Sequence, residues 1–429
     1  MRKPSPSPMA ARTHTNVRVV THGCRLNAAE SDAIATTLRS ERPNALVVHN
    51  SCAVTSEAVR SLRQAIRRSA RDNPGARIVV TGCAVHTDGA ALEAMPEVDA
   101  LVANPSKLQP SAYRADQSVA ASVRGVRPEM DEWAAGSMDG RVRAFLPIQN
   151  GCDHACTFCT IPDGRGASRS RAAFDVVEAA ERLVDRGVRE IVLTGVDLTS
   201  YADGPLRLGN VVQSVLARVP RLERLRLSSI DSVEADEALF EALSDRRFMP
   251  HLHLSLQHGH DLILKRMRRR HSRRDAIEFC DRVRRVRPET TFGADLIAGF
   301  PTETEEHHQA SDDLIEACGI THLHVFPFSA RASTPAAKMP AVVGSVIAER
   351  AAELREHGRA AKRRHLRSRV GSQDAVVVHR QSDRAGRRTG LTEDFCTAVL
   401  PEHAEPGELR RIAIVGTEGD RLTATTLQP

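Results

Sequence analysis

Aromatic residues are scarce in this chain: tryptophan occurs once, tyrosine twice and phenylalanine eleven times, 3% of the sequence. Any grip on a nucleic acid would therefore lean on charge and shape more than on base stacking. No stretch approaches the roughly 18 uninterrupted apolar residues that a membrane helix needs, so no membrane partner is expected. Met1–Thr15 is basic and rich in Pro and Ser but has no apolar segment, which argues against a secretory signal. It reads as a disordered tail on a cytoplasmic protein. Heptads and repeats are lacking too, so the sequence gives no argument about oligomeric state. Lysine is rare, with five among the 60 basic residues.

The 429 residues suggest about three domains at roughly 150 residues each. With 41% hydrophobic and 27% charged residues, the composition is that of a globular protein and not of a disordered one. Net charge is +6, but it is unevenly spread. Arg355–Arg388 holds eleven Arg or Lys against three acids, and Lys265–Arg274 holds seven basic residues and no acid. Clustered charge steers a polyanion where scattered pairs cancel; a solvated face is the plainer alternative.

The expected architecture is α/β. Val17–His22, Ala45–Asn50, Arg77–Thr81 and Ala100–Ala103 read as strands, with helical periodicity over Ala28–Arg39 and Ser56–Arg71. That alternation predicts a parallel sheet with helices on its faces, over residues 16–125. A linker follows at 126–140. Six further strands, from Ala144–Gln149 to His322–Phe328, alternate with helices over 141–360, too few for a closed eight-unit barrel and suited to a partial (β/α)6 barrel. Residues 361–429 read as a small β-barrel, with strands at Ala375–Arg380, Phe395–Leu400, Leu409–Val415 and Leu422–Leu427.

Nine cysteines without an export signal are not expected to form a disulfide framework. Cys280, Cys318 and Cys396 stand alone and read as buried packing residues. Cys24, Cys52 and Cys83 each sit just past the carboxyl end of a predicted strand, the edge where ligands bind in open parallel sheets. Cys152, Cys156 and Cys159 form a C-x3-C-x2-C loop after the first barrel strand. Three thiolates can hold a 4Fe–4S cluster and leave one iron open. Structural zinc is the competing reading; it wants four ligands, and His154 would reach as the fourth only awkwardly.

The C-x3-C-x2-C loop, with Phe158 before its last cysteine, resembles the signature of radical S-adenosylmethionine enzymes. His22-Gly23-Cys24-Arg25-Leu26-Asn27, Asn50-Ser51-Cys52-Ala53-Val54-Thr55 and Thr81-Gly82-Cys83-Ala84 narrow the resemblance to the methylthiotransferases, and it runs from about Val17 to the C-terminus. The resemblance implies two 4Fe–4S clusters, one on each cysteine triplet, with S-adenosyl-L-methionine on the open iron of the cluster at Cys152, Cys156 and Cys159, where it would be cleaved to a deoxyadenosyl radical. It implies cofactor contacts from Ser255, Gln257, Asp295 and Gly195, and a TRAM-like terminal barrel that binds RNA. Leu193-Thr194-Gly195-Val196-Asp197-Leu198 and Arg226-Leu227-Ser228-Ser229-Ile230 are similar to the subgroup that acts on N6-threonylcarbamoyladenosine in tRNA. Asp163 and Gly164 stand where many relatives carry an aromatic and an aliphatic residue, and His258 and His260 stand where small residues are common.

The expected partners are the anticodon stem-loop of tRNA and an electron donor protein, with neither DNA nor membrane. Lys265, Arg266, Arg363, Arg364 and Arg387 are the candidate phosphate contacts. Two other substrates remain within the class, isopentenyladenosine in tRNA and an aspartate of a ribosomal protein. From another class, a non-catalytic iron–sulfur RNA-binding module would need only the barrel and the basic runs.

Overall fold

The computed structural model describes residues 16–41, 45–114, 142–380 and 382–427; the expected tail 1–15 and linker 126–140 lie outside them. The N-terminal strands Val17–Thr21, Leu46–Ser51, Arg77–Gly82 and Ala100–Val102 form one parallel sheet in chain order. Leu46–Ser51 is buried at every position, which is why it reads as a continuous run: helices cover both faces of a parallel sheet. The helix Ser56–Asp72 starts where Thr55 accepts a bond from the Ala58 amide, and it buries Val59, Leu62, Ile66 and Ser69 along one stripe. Beyond the last strand, Leu108 and Tyr113 pack onto the sheet's second face, so residues 104–114 belong to the domain.

The next domain is a partial barrel of six parallel strands, and one large core joins its strands to the surrounding helices. Arg143–Pro147, Glu190–Thr194 and Arg224–Leu227 form one sheet; Ser229–Ile230, His251–Gln257, Thr291–Ala298 and Ile320–Pro327 form the other. The third expected strand, Arg224–Ser229, breaks at Ser228, whose amide bonds the Leu193 carbonyl. The chain crosses there from one sheet to the next.

A 25-residue helix, Gly344–Ser368, packs on the edge strand Ile320–Pro327 and carries the chain out of the barrel. Its Arg- and Glu-rich sequence shows little apolar stripe, and the expected boundary at 360/361 falls inside it. The terminal domain is a closed barrel of five strands, one more than expected. The addition, Thr389–Leu391, is three residues long and contains a glycine, too short for an alternating pattern to register.

Buried charge fastens the three domains. Glu30 of the first domain receives Arg165 of the barrel at 2.9 Å and Lys107 at 2.7 Å, all three side chains almost wholly buried. Glu190 receives Arg143 (2.7 Å), Arg224 (2.8 Å) and Arg226 (3.1 Å). Arg224 and Arg226 also donate to the Leu391, Thr392 and Glu393 carbonyls of the terminal barrel. Burial alone would raise both carboxyls, but the guanidiniums outweigh it and hold each at about 2 instead of 4.5. A carboxyl depressed on folding contributes stability above its unfolded value and loses it as pH falls toward the folded one. Unfolding free energy, followed by urea titration, is therefore expected to fall between pH 4.5 and 2. Glu190→Gln at pH 7 leaves buried guanidiniums uncompensated and should cost about 3–5 kcal/mol.

Candidate active site between two cysteine triplets

Three of the six candidate cysteines follow a glycine at the carboxyl end of a strand. Gly23, Gly82 and Gly151 have φ of +90°, +96° and +75°, the left-handed region that side chains avoid. A Cβ on Gly23 would lie 2.5 Å from that of Cys52, and one on Gly151 would lie 1.9 Å from the Ala167 carbonyl oxygen. Tight Gly-Cys turns thus bring the Gly23 backbone against Cys52 and the Gly151 backbone against the Ala167 carbonyl. Cys83 opens the short helix Cys83–Thr87 and is buried, whereas Cys24 is exposed and Cys52 half-buried.

Within each triplet the cysteines are near enough to influence one another electrostatically. Burial first, and then the neighbouring Cys83 and Cys24, push the Cys52 thiol up to about 11. Burial also drives Cys152 up to about 12 and Cys159 to about 11, with Cys156 adding to both. Neighbouring thiolates in a sheltered space repel one another until a cationic centre neutralises them, so both triplets suit the iron–sulfur clusters that the sequence implies. His154 turns toward Asp197 (2.7 Å), and Cys152, His154 and Asp197 hold ligand atoms within 4.8 Å of one another. That trio leaves out Cys156 and Cys159, so it is not the cysteine triplet.

Around Cys152, Cys156 and Cys159 lies a cavity of about 140 Å³, whose walls include Ser255, Gln257, Asp231 and Arg269. Gln257 has φ of +67°, at a register shift of its strand, so its backbone turns the side chain into the cavity mouth. A second cavity, about 210 Å³, is lined by Cys159, Gln257 and Asp295 and by Val54 and Thr55, which follow Cys52. Phe158, Phe326 and Phe328 supply its apolar wall. Burial opposes ionisation of Asp295, but hydrogen bonds from His253 (2.9 Å) and His324 (3.3 Å) hold its carboxyl well below the usual range. Gly195 stands one step back. Gln149 Oε1, against which a Gly195 Cβ would press, accepts from the Val196 and Asp197 amides, and those two residues line the smaller cavity.

The unusual residues near the site have physical roles. Gly164 lets the helix Ile161–Arg165 lie against Cys83, where a Cβ would stand 3.1 Å from the cysteine's own. His258 is buried against Glu303 at 3.1 Å, and the His260 side chain accepts the Leu262 amide to cap a helix. Arg269 is the residue that charge counting misassigned. Within the basic run Lys265–Arg274 it points inward, to the Asp231 carboxylate (2.6 Å), the Ser255 carbonyl (2.8 Å) and Cys156 Sγ (3.6 Å). Nothing local in the sequence separates it from its exposed neighbours.

The candidate phosphate contacts are mostly engaged within the chain. Arg266 donates to Thr302 (2.6 Å), Arg363 pairs with Glu356 (2.9 Å), Arg364 with Glu316, and Arg387 with Glu418 (2.7 Å) and Asp383. Lys265 is exposed and belongs to no ion pair among the described residues. Exposed pairs of this kind are worth 0–1 kcal/mol, so a phosphate can displace the carboxylate. Cys280, Cys318 and Cys396 are buried, as packing residues should be.

Gly151→Ala is expected to displace Cys152 without touching the N-terminal triplet. Iron analysis of anaerobically prepared protein should then find about four irons fewer, a deficit that Ala at Gly204, an open turn glycine, does not produce.

Comparison with known proteins identifies the family. Residues 146–315 match the radical SAM superfamily, and residues 16–103 match the uncharacterized protein family UPF0004. The chain is 40% identical over 412 residues to threonylcarbamoyladenosine tRNA methylthiotransferase MtaB of Rickettsia prowazekii, covering 95% of this chain and 96% of the relative. It is 34% identical to the MtaB of Bacillus subtilis over 74% of each chain. A tRNA-2-methylthio-N(6)-dimethylallyladenosine synthase of Cereibacter sphaeroides is 31% identical, over 95% of this chain and 98% of its own. Among solved structures, the radical S-adenosylmethionine methyltransferase TsrM of Kitasatospora setae superposes with a TM-score of 0.55 at 16% identity over 75% of each chain, a likeness of fold alone. The chain belongs to the radical S-adenosylmethionine methylthiotransferase family.

Proposed function

We propose that this enzyme inserts a methylthio group at carbon 2 of N6-threonylcarbamoyladenosine in tRNA. One observation carries the reading: the larger cavity has Cys159 on one side and the chain leaving Cys52 on the other, so a single substrate pocket opens toward both triplets. Cys152, Cys156 and Cys159 would hold one 4Fe–4S cluster, and Cys24, Cys52 and Cys83 a second. With S-adenosyl-L-methionine bound, such clusters supply the one-electron chemistry that an unactivated aromatic C–H requires and that side chains lack.

The protein's own part is binding and exclusion. Ser255 and Gln257 present polar groups beside the three-cysteine loop, where they would meet the amino-acid end of S-adenosyl-L-methionine. Arg269 ties Asp231 and the Ser255 carbonyl together and so fixes that wall. Phe158, Phe326 and Phe328 keep water from the larger cavity, and Asp295 offers an ionised carboxylate that His253 and His324 orient. Lys265, Arg266, Arg363, Arg364 and Arg387, with the terminal barrel, would hold the phosphates of the anticodon stem-loop, where contacts fix register and not sequence. A separate electron donor protein is required. The similarity to a dimethylallyladenosine synthase makes that nucleoside the second candidate substrate.

Nucleoside mass spectrometry of bulk tRNA from cells with and without the protein tests the reaction. The expected outcome is loss of the 2-methylthio derivative with accumulation of N6-threonylcarbamoyladenosine. Loss of the methylthiolated isopentenyl nucleoside instead would transfer the assignment to the second candidate. Cys156→Ala should abolish the product in the same assay. Affinity for tRNA should fall about linearly on logarithmic axes as salt rises, and a flat response would remove the phosphate role from the basic residues.

A further inference from the structure

The lumen of the partial barrel, which shares Asp295 with the larger cavity, contains an unbalanced cation. Its carboxylates are fully engaged. Glu190 is held by Arg143, Arg224 and Arg226, and Asp295 by His253 and His324. Arg224 and Arg226 direct their terminal nitrogens to carbonyls of the terminal barrel. Into this space Arg25 reaches from the first turn of the helix Arg25–Glu41, in the first domain, one residue after Cys24. Its guanidinium lies 5.2 Å from the centre of the Phe395 ring, which stacks on His251 inside the barrel. Among the described residues Arg25 makes no ion pair and no side-chain hydrogen bond.

That arrangement is costly unless something completes it. The Arg226 guanidinium lies 5.5 Å from the centre of the same Phe395 ring, so Arg25 faces another cation across it. A sheltered guanidinium without an anion is unfavourable, and its planar fork matches a carboxylate with two parallel bonds. The substrate of the proposed reaction carries such a group. A threonine joined through its nitrogen to the carbamoyl carbon keeps its carboxylate free, whereas a dimethylallyl group has no charge at all.

We infer that Arg25 forms a carboxylate-binding subsite that receives the threonyl carboxylate and so selects the N6-threonylcarbamoyl nucleoside. The assignment rests on the proposed function and deepens it. Because Arg25 adjoins Cys24, the rival role for it is as a counter-ion to the centre held there.

The test uses the full-length, anaerobically reconstituted enzyme and two synthetic anticodon stem-loops, one bearing N6-threonylcarbamoyladenosine and the other its carboxamide. Product formation gives KM and kcat, fluorescence anisotropy gives Kd, and iron content is measured on the same samples. For the unaltered enzyme, KM and Kd should be about tenfold lower for the acid than for the amide. Arg25→Gln should bring that ratio to about one at unchanged iron content, and Arg25→Lys should restore part of it. An unaltered enzyme that treats acid and amide alike overturns the subsite, and this comparison needs no variant to fold. Arg25→Gln that keeps the tenfold ratio also overturns it, and lost iron in that variant would assign Arg25 to the centre at Cys24. An enzyme that modifies neither stem-loop but methylthiolates one carrying the isopentenyl nucleoside overturns the functional reading itself.

Discussion

Arg165, buried against Glu30 with Lys107 on the other side of the same carboxylate, is the contact on which the site depends. One triplet of cysteines belongs to the first domain and the other to the barrel, and a shared cavity exists only if the two domains keep one relative placement. Apolar packing alone would permit sliding. A guanidinium that must meet a carboxylate in a dry interior tolerates little, because misalignment leaves two charges uncompensated. Arg165 also donates to Asn27 (2.5 Å), three residues after Cys24, and to Asn150 (3.1 Å), two residues before Cys152. A single side chain thereby references both cysteine loops to one point. Gly164, next to it, lets the same segment close against Cys83.

The terminal barrel is fixed by the same kind of physics. Glu190 draws Arg224 and Arg226 into the lumen, and their outer nitrogens take the backbone carbonyls of residues 391–393. Phe395, in the left-handed region at φ of +71°, is thrust by that loop onto His251 within the barrel. The module expected to contact RNA therefore reaches into the lumen of the partial barrel. Charge in this protein has mostly an inward use. Arg269, Arg165, Arg224 and Arg226 would each count toward a basic surface in a tally of composition, and each is buried or turned to an internal partner. That explains why an Arg-rich chain exposes less free cation than its sequence suggests.

Much of this was legible in the sequence, for local reasons. The alternation of apolar runs and helical stripes fixed the order of strands and helices, because burial on both faces leaves an unbroken apolar signature. The Gly-Cys pairs and the C-x3-C-x2-C loop marked the chemistry, because both the backbone turn and the thiol are properties of adjacent residues. The helix Gly344–Ser368 and the strand Thr389–Leu391 escaped, the first because its buried stripe is built largely of small residues, Ala351, Gly358 and Ala361, amid many charges, and the second because it is only three residues long. The grouping of six cysteines into two triplets and, through the family resemblance, the class of reaction were thus legible in the sequence alone. Which of the 55 arginines enter the interior, that Gln257 and Asp295 share a wall with Cys159, and that Arg25 reaches a lumen whose carboxylates are already engaged were decided only by the tertiary structure. Those outcomes depend on which distant groups meet in a dry space, and pairing across more than a hundred residues leaves no local pattern to read.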